Sequence, residues 1–146
     1  MARRKDNKRE DAPARIAFVW GMFGSYHMDR LSAVAARLAK TTQIVAVQLA
    51  PRFTETALPS GRPAISEYRT VFPNRTYDSL SRLEILAGLA RHLTDCDLVI
   101  LGLSSSQPEN AALAFLLKRR GARVFFCSDS KADDRPRSRW GEAIKR

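Results

Sequence analysis

The sequence predicts an α/β fold: a doubly wound, Rossmann-like parallel sheet of about five strands with helices on both sides. Three observations predict it. Short β-rich runs alternate with stretches whose apolar residues recur at helical spacing, in the order β-α-β-β-α-β-α. Those runs are apolar on both faces, which suits strands covered from both sides. Glycine and proline punctuate the joins. Right-handed crossovers then favour a strand order with the first strand central.

Residues 1–13 are charged and without periodicity, and read as a disordered basic leader ahead of the domain at 14–146. Arg15-Ile-Ala-Phe-Val-Trp20 is the first strand, ending at Gly21. A helix follows, with Leu31, Val34, Ala35 and Leu38 at i, i+3, i+4, i+7. Gln43–Gln48 is the second strand. Pro51, Pro59, Gly61 and Pro63 mark a long loop over 49–67, and Tyr68–Phe72 is a third strand halted by Pro73. Asp78 is expected to cap a helix carrying Leu80, Leu83, Leu86, Ala90 and Leu93 on one face. Asp97–Leu101 is the fourth strand. Ser106 and Glu109 are spaced as a capping box for the next helix, which ends in Lys118-Arg119-Arg120 before Gly121. Arg123–Cys127 is the fifth strand, and a last helix opens near Pro136 with Trp140, Ala143 and Ile144 on one face.

A chain of 146 residues is one domain by the usual scaling. No apolar run approaches the ~18 residues of a membrane span, and the start lacks the apolar core of a secretory signal. A cytoplasmic location is expected, with peripheral contact at the inner membrane face as an option. Cys96 and Cys127 fall at opposite ends of neighbouring parallel strands, too far apart for a bridge, and read as free thiols. The net charge is +10, but residues 12–117 carry ten basic and eight acidic side chains, whereas residues 118–146 carry ten and four. The excess is therefore concentrated at the carboxyl end. A basic tail suits an anionic partner, whether membrane, phosphate or nucleic acid; a solvated face is the plainer account.

Ligands of such sheets bind beyond the carboxyl ends of the strands, at the switch in strand order. The candidate site is thus Gly21–His27, Ser104–Gln107 and Ser128–Asp134. A dinucleotide site fails there: the loop Gly21-Met-Phe-Gly24-Ser25-Tyr26 lacks G-x-G-x-x-G, and the second strand ends in Gln48 rather than an acid. A phosphoacceptor receiver fails too, because its clustered acids are replaced by Trp20-Gly21 and Phe72-Pro73. One serine in the first loop is thin support for a flavin phosphate.

Two segments carry a resemblance. Tyr26-His27-x-x-Arg30-Leu31-x-Ala33, directly after a glycine-containing loop, resembles the start of bacterial family-4-type glycosyltransferases of the GT-B fold. Asp129-Ser130-x-x-Asp133-Asp134-Arg135-Pro136-Arg137-x-x-Trp140-x-Glu142-x-x-Lys145-Arg146 is similar to a motif at the same relative place in that family, and Tyr68–Pro73 fits its third strand. The resemblance implies two Rossmann-like domains facing across a cleft. This chain matches the first, the acceptor side, and is expected to stop before the donor-binding half, so that the fragment alone is inactive. The donor, a nucleotide sugar, belongs to the full enzyme; no cofactor and no metal is expected here. The acceptor is a glycan or a lipid-linked sugar, and a separate donor-binding domain is a possible partner.

Gly21, Gly24, Ser25, Tyr26, His27, Arg30, Ser104, Ser105, Asp129 and Ser130 are the expected acceptor contacts; the catalytic group is not assigned. Each has a plainer reading. Gly21–Tyr26 is either an anion or hydroxyl cradle at a helix amino terminus or a tight turn capped by Ser25. His27 either meets a sugar hydroxyl or caps its helix. Arg30 either steadies a phosphate or pairs with an acid. The serines stand where many relatives place a sugar-contacting histidine, and Ser106 reads as a cap. Asp129, Asp133 and Asp134 lack metal-ligand spacing and suit capping and pairing with arginines. Trp140 either docks on the sheet or sits at anionic lipid. Two further functions stay open: a non-catalytic subunit of a split transferase, and a basic nucleic-acid-binding module supported by charge alone, which lacks recognition motifs.

Overall fold

The structure, a computed structural model, describes residues 13–38, 41–51, 65 and 67–127. The leader up to residue 12, most of the proline-rich loop, Asp129, Ser130 and the expected last helix lie outside the described residues.

Five strands form one parallel sheet: β1 (Ala14–Trp20), β2 (Thr42–Gln48), β3 (Glu67–Thr70), β4 (Leu98–Leu101) and β5 (Arg123–Phe126). Their order is β3-β2-β1-β4-β5, with the first strand central, as expected. Helix α1 (Ser25–Leu38) joins β1 to β2, α2 (Arg82–His92) precedes β4, and α3 (Pro108–Arg119) joins β4 to β5. The fold is therefore α/β and Rossmann-like.

The two faces of the sheet are filled unequally. One face presents Ala17, Val19, Val45, Val47, Val99 and Leu101, all fully buried, to Leu89 of α2, Leu93 just after it, and Leu113 and Leu117 of α3. On the opposite face α1 lays Met28 and Leu31 over Ile44 and Ala46, with Phe23 at the turn. That helix covers the β1–β2 side. Strand β4 records the asymmetry: Val99 and Leu101 are buried, whereas Leu98 and Ile100, pointing the other way, are half-buried. Each side chain taken from water contributes about 1.5–3 kcal/mol, so the α2/α3 face is the main store of stability.

Two expected caps are corrected. The segment after Thr76 forms only a single 3-10 turn (Tyr77–Ser79), and α2 starts later, capped by Ser81 rather than Asp78. Ser81 Oγ accepts from Glu84 N at 3.3 Å, and Glu84 Oε2 accepts from Ser81 N at 2.8 Å. The Ser81 backbone amide first, and then the Ser81 hydroxyl donating to the same Oε2 at 2.8 Å, hold the Glu84 carboxyl below its usual range. The shift of register moves the buried stripe to Ile85, Leu89, Ala90 and Leu93 and leaves Leu83 77% exposed. At α3 the capping position is Gln107, with no side-chain cap hydrogen bond, and Ser106 Oγ instead meets Ser104 Oγ at 2.7 Å. Proline in the first turn of α3 lacks an amide that would need a cap, which removes one reason for the box. The carboxyl end of α3 follows expectation: Gly121 adopts φ 94° and donates to the Lys118 carbonyl at 3.0 Å.

Candidate functional site

Strands β1 and β4 are neighbours whose chains leave in opposite directions, to α1 on one face and to α3 on the other. Their carboxyl ends stand side by side: Val19 pairs with Leu101, and Gly102 N donates to the Val19 carbonyl at 2.8 Å. The loops Gly21–His27 and Ser104–Gln107 thus part over a common rim, the place where this topology opens a crevice.

The first loop is stitched down before it reaches α1. Leu49 N donates to the Trp20 carbonyl at 3.1 Å and Ala50 N to the Gly21 carbonyl at 3.2 Å. Gln48, buried at the end of β2, accepts from Phe23 N through Oε1 (3.4 Å) and donates from Nε2 to Thr70 Oγ1 at 3.1 Å. Where a dinucleotide site would carry a ribose-binding acid, this chain has an amide that ties its own loop to β3.

Aromatic rings crowd two glycines on the rim, Gly102 far more tightly than Gly21. A Cβ at Gly21 would lie 3.0 Å from Tyr77 Cε2, and one at Gly102 would lie 2.2 Å from Trp20 Nε1. Gly24 is different: its added Cβ would meet only His27 Nδ1, at 3.7 Å. Burial first, then the Glu109 charge, raises the Tyr77 hydroxyl pKa above its ordinary value.

At the start of α1, Gly24 holds the capping position and its carbonyl accepts from Met28 N at 3.1 Å. Ser25, expected as the cap in the plainer reading, is the first helical residue and is exposed. His27 reaches back so that Nδ1 accepts from Gly24 N at 3.3 Å, which is the reciprocal half of a capping box made by an imidazole. A nitrogen that accepts carries no hydrogen, so the ring hydrogen resides on Nε2. The Nδ1 lone pair is thereby committed to the helix start. Its ring packs 5.1 Å from that of Trp20. Tyr26 is half exposed, and the Arg30 guanidinium lies 4.0 Å over its ring, which leaves that cation beside the helix amino terminus.

Ser104, Ser105 and Ser106 are exposed. The Ser104 carbonyl accepts from Asn110 Nδ2 at 2.8 Å, and the same amide donates to Gln107 Oε1 at 3.1 Å, so a buried asparagine shapes the serine turn. Glu109 is buried, 3.8 Å from Arg82 Nε, in the first turn of α3 where the helix dipole favours a carboxylate. Gln48, Tyr77 and Asn110 escaped the sequence reading as site residues. Gln48 alone left a signal, a polar residue closing an otherwise apolar strand.

Comparison with family models, with curated proteins and with solved structures finds no match for this chain. The architecture and the rim geometry stand on the chain's own residues.

The rim brings together Gly21, Gly24, Ser25, Tyr26, His27 and Arg30, with Ser104 and Ser105 at the end of the adjacent strand. Asp129 and Ser130 lie outside the described residues. His92 belongs to the opposite end of the molecule, its Nδ1 2.9 Å from the Gly88 carbonyl at the close of α2. Both cysteines are unpaired, Cys96 buried and Cys127 exposed. Burial, with Asp95 adding to it, raises the Cys96 thiol to about 11, so it is an inert thiol. Among the described residues no cluster of three metal-ligating side chains occurs, and no helix is long and apolar enough to cross a membrane.

Proposed function

We propose that this chain is the acceptor-side domain of a GT-B-type glycosyltransferase, working with a separate donor-binding domain that supplies the nucleotide sugar. The observation that carries the reading is the position of Tyr26-His27-x-x-Arg30. This family-like segment opens α1 beside the β1/β4 switch, on the rim shared with the serine turn.

The chemistry available there is binding and orientation. Ser104 and Ser105 offer exposed hydroxyls, and Arg30 offers a cation for a phosphate on a lipid-linked acceptor. Amides at the start of α1 favour the same anion. None of these groups is poised to remove a proton from the attacking hydroxyl, because the accepting nitrogen of His27 faces Gly24 N. The domain therefore holds and aims the acceptor. Donor activation and the base belong to the partner domain or to Asp129 and its neighbours.

Calorimetry against a panel of sugar nucleotides tests this division of labour. The chain alone is expected to bind no donor, while phosphorylated glycan or lipid-linked sugar analogues shift the amide resonances of Gly21–Arg30 and Ser104–Gln107. Tight donor binding, or acceptor-induced shifts confined to other surfaces, would overturn the proposal.

A further inference from the structure

On the α1 side of the sheet a groove of about 250 Å³ runs down from the rim. Phe18 and Ile100, paired across β1 and β4, form its floor, and the Trp20 ring stacks beside Phe18 at 6.2 Å. Helix α1 supplies one wall through Leu31 and Val34, and exposed Cys127 marks the far side. The lining is almost wholly hydrocarbon and ring. A sugar hydroxyl entering it gives up water and regains few hydrogen bonds, whereas a hydrocarbon gains by leaving water.

Polarity is confined to the mouth. His27 and Arg30 stand at the start of α1, on the rim, and Val34 lies about 10 Å deeper along the helix axis. Among the described residues no carboxylate lines the groove, and Arg30 is exposed there with its guanidinium over the Tyr26 ring. An anion at the mouth thus meets a cation and the positive end of a helix, while whatever trails behind it meets carbon. An apolar cavity of about 150 Å³ admits benzene, so this groove has room for about ten carbons.

Starting from the acceptor-side reading of the rim, on which this step rests, we propose that the groove holds the hydrocarbon anchor of the acceptor. The anchor is a single chain joined through a phosphate that sits at Arg30, and the sugar beyond the phosphate extends towards Ser104 and Ser105. The substrate class is thereby narrowed from glycans in general to lipid-linked sugars.

Butyl, hexyl, octyl, decyl and dodecyl phosphate, each below its micelle concentration, test this on the full chain. Affinity is read from protection of Cys127 against a thiol-reactive dye, with buried Cys96 as the silent control for folding. Each added methylene is expected to tighten binding about fourfold, levelling off at about ten carbons. Octyl phosphate at about ten times its dissociation constant slows Cys127 labelling about tenfold and shifts the methyl resonances of Ile100 and Val34. Arg30→Gln, or octanol in place of the phosphate, weakens binding on the order of tenfold. Affinity that climbs without levelling, or that ignores both the phosphate and Arg30, would overturn the proposal. So would a Cys127 already protected in the ligand-free chain, because the groove would then have another occupant. The two readings fail separately. If glucose phosphate shifts the amides of Gly21–Arg30 and Ser104–Gln107 while octyl phosphate leaves Ile100 and Cys127 untouched, the acceptor reading stands and the lipid anchor falls. If octyl phosphate fills the groove but no sugar-bearing ligand reaches Ser104–Gln107, the groove keeps its occupant and the acceptor reading falls.

Discussion

The two ends of the sheet are built on different principles. At the amino end, charged side chains are locked together. Arg15 pairs with Glu67 at 2.6 Å and with Asp95 at 3.0 Å, Arg69 pairs with Glu67 and with Asp95 at 3.1 Å, and Arg69 also donates to the His92 carbonyl. Asp97 closes the corner by accepting from Arg15 N at 2.8 Å. At the carboxyl end, the rim is held by backbone stitches, one buried glutamine and rings pressed against glycine, while its hydroxyls and Arg30 face solvent. A charge network spends its polar groups on one another. A rim held by shape leaves its polar groups available to a ligand. Charge pairing and the exposed polar rim are thereby separated along the strand axis, the carboxyl end being where open α/β sheets take their ligands.

The sharpest way to break that contrast is to disturb shape at the rim. Gly102→Ala places a methyl 2.2 Å from Trp20 Nε1, and the indole, packed at 5.3 Å from the Phe23 ring, must shift to admit it. Overpacking of this kind costs about 1–3 kcal/mol, read as a lower urea midpoint at unchanged slope. In a Trp20→Ala background the same substitution is expected to be nearly neutral. A full cost in both backgrounds would show that Trp20 is not the reason for this glycine.

A change at the charged end should be smaller and depend on pH. The Arg69 hydrogen bond, before any other influence, holds the Asp95 carboxyl down at about 2 against an ordinary 3.8. A depressed carboxyl stabilises the fold above its unfolded pKa, and that contribution fades as pH falls through the folded one. The window is therefore about pH 4 to pH 2. Asp95 is 39% exposed, so solvent screening reduces the effect to about 1 kcal/mol. Asp95→Asn should lower thermal stability at neutral pH and flatten its decline between pH 4 and pH 2. Added salt should shrink the difference. An Asn variant with the unaltered acid profile would remove Asp95 from the account.

Much of this was legible beforehand because hydrophobic pattern and handedness are local or general rules. The strand runs, the helix at Leu31 and Leu38, the Gly121 stop and the order with β1 central all follow from them. The charged end was not legible, since Arg15, the Glu67/Arg69 pair and Asp95 come from three separate stretches that only the sheet register brings together. The rings over Gly21 and Gly102 were hidden for the same reason: each glycine reads as conformational freedom until the side chain occupying its missing Cβ is known. His27 was half legible. Its place near a helix amino terminus was plain, but that Nδ1 is the nitrogen it spends on Gly24 N needed coordinates.

Helix caps are where local reading went furthest astray, and they offer the smallest and cleanest test. Two serines in this chain precede a glutamate three residues on, Ser81 before Glu84 and Ser106 before Glu109. The motif is the same, yet only the first closes into a reciprocal box. At the second, Pro108 occupies the first helical position, Glu109 is buried towards Arg82, and the turn is shaped by Asn110. Ser81→Ala should therefore cost about 1 kcal/mol, whereas Ser106→Ala should stay within about 0.5 kcal/mol of the parent. Both are read from denaturant midpoints. Equal costs would mean that the serine turn owes its shape to a cap after all. In that case Ser106 would belong with the stability of α3, as its spacing before Glu109 suggested.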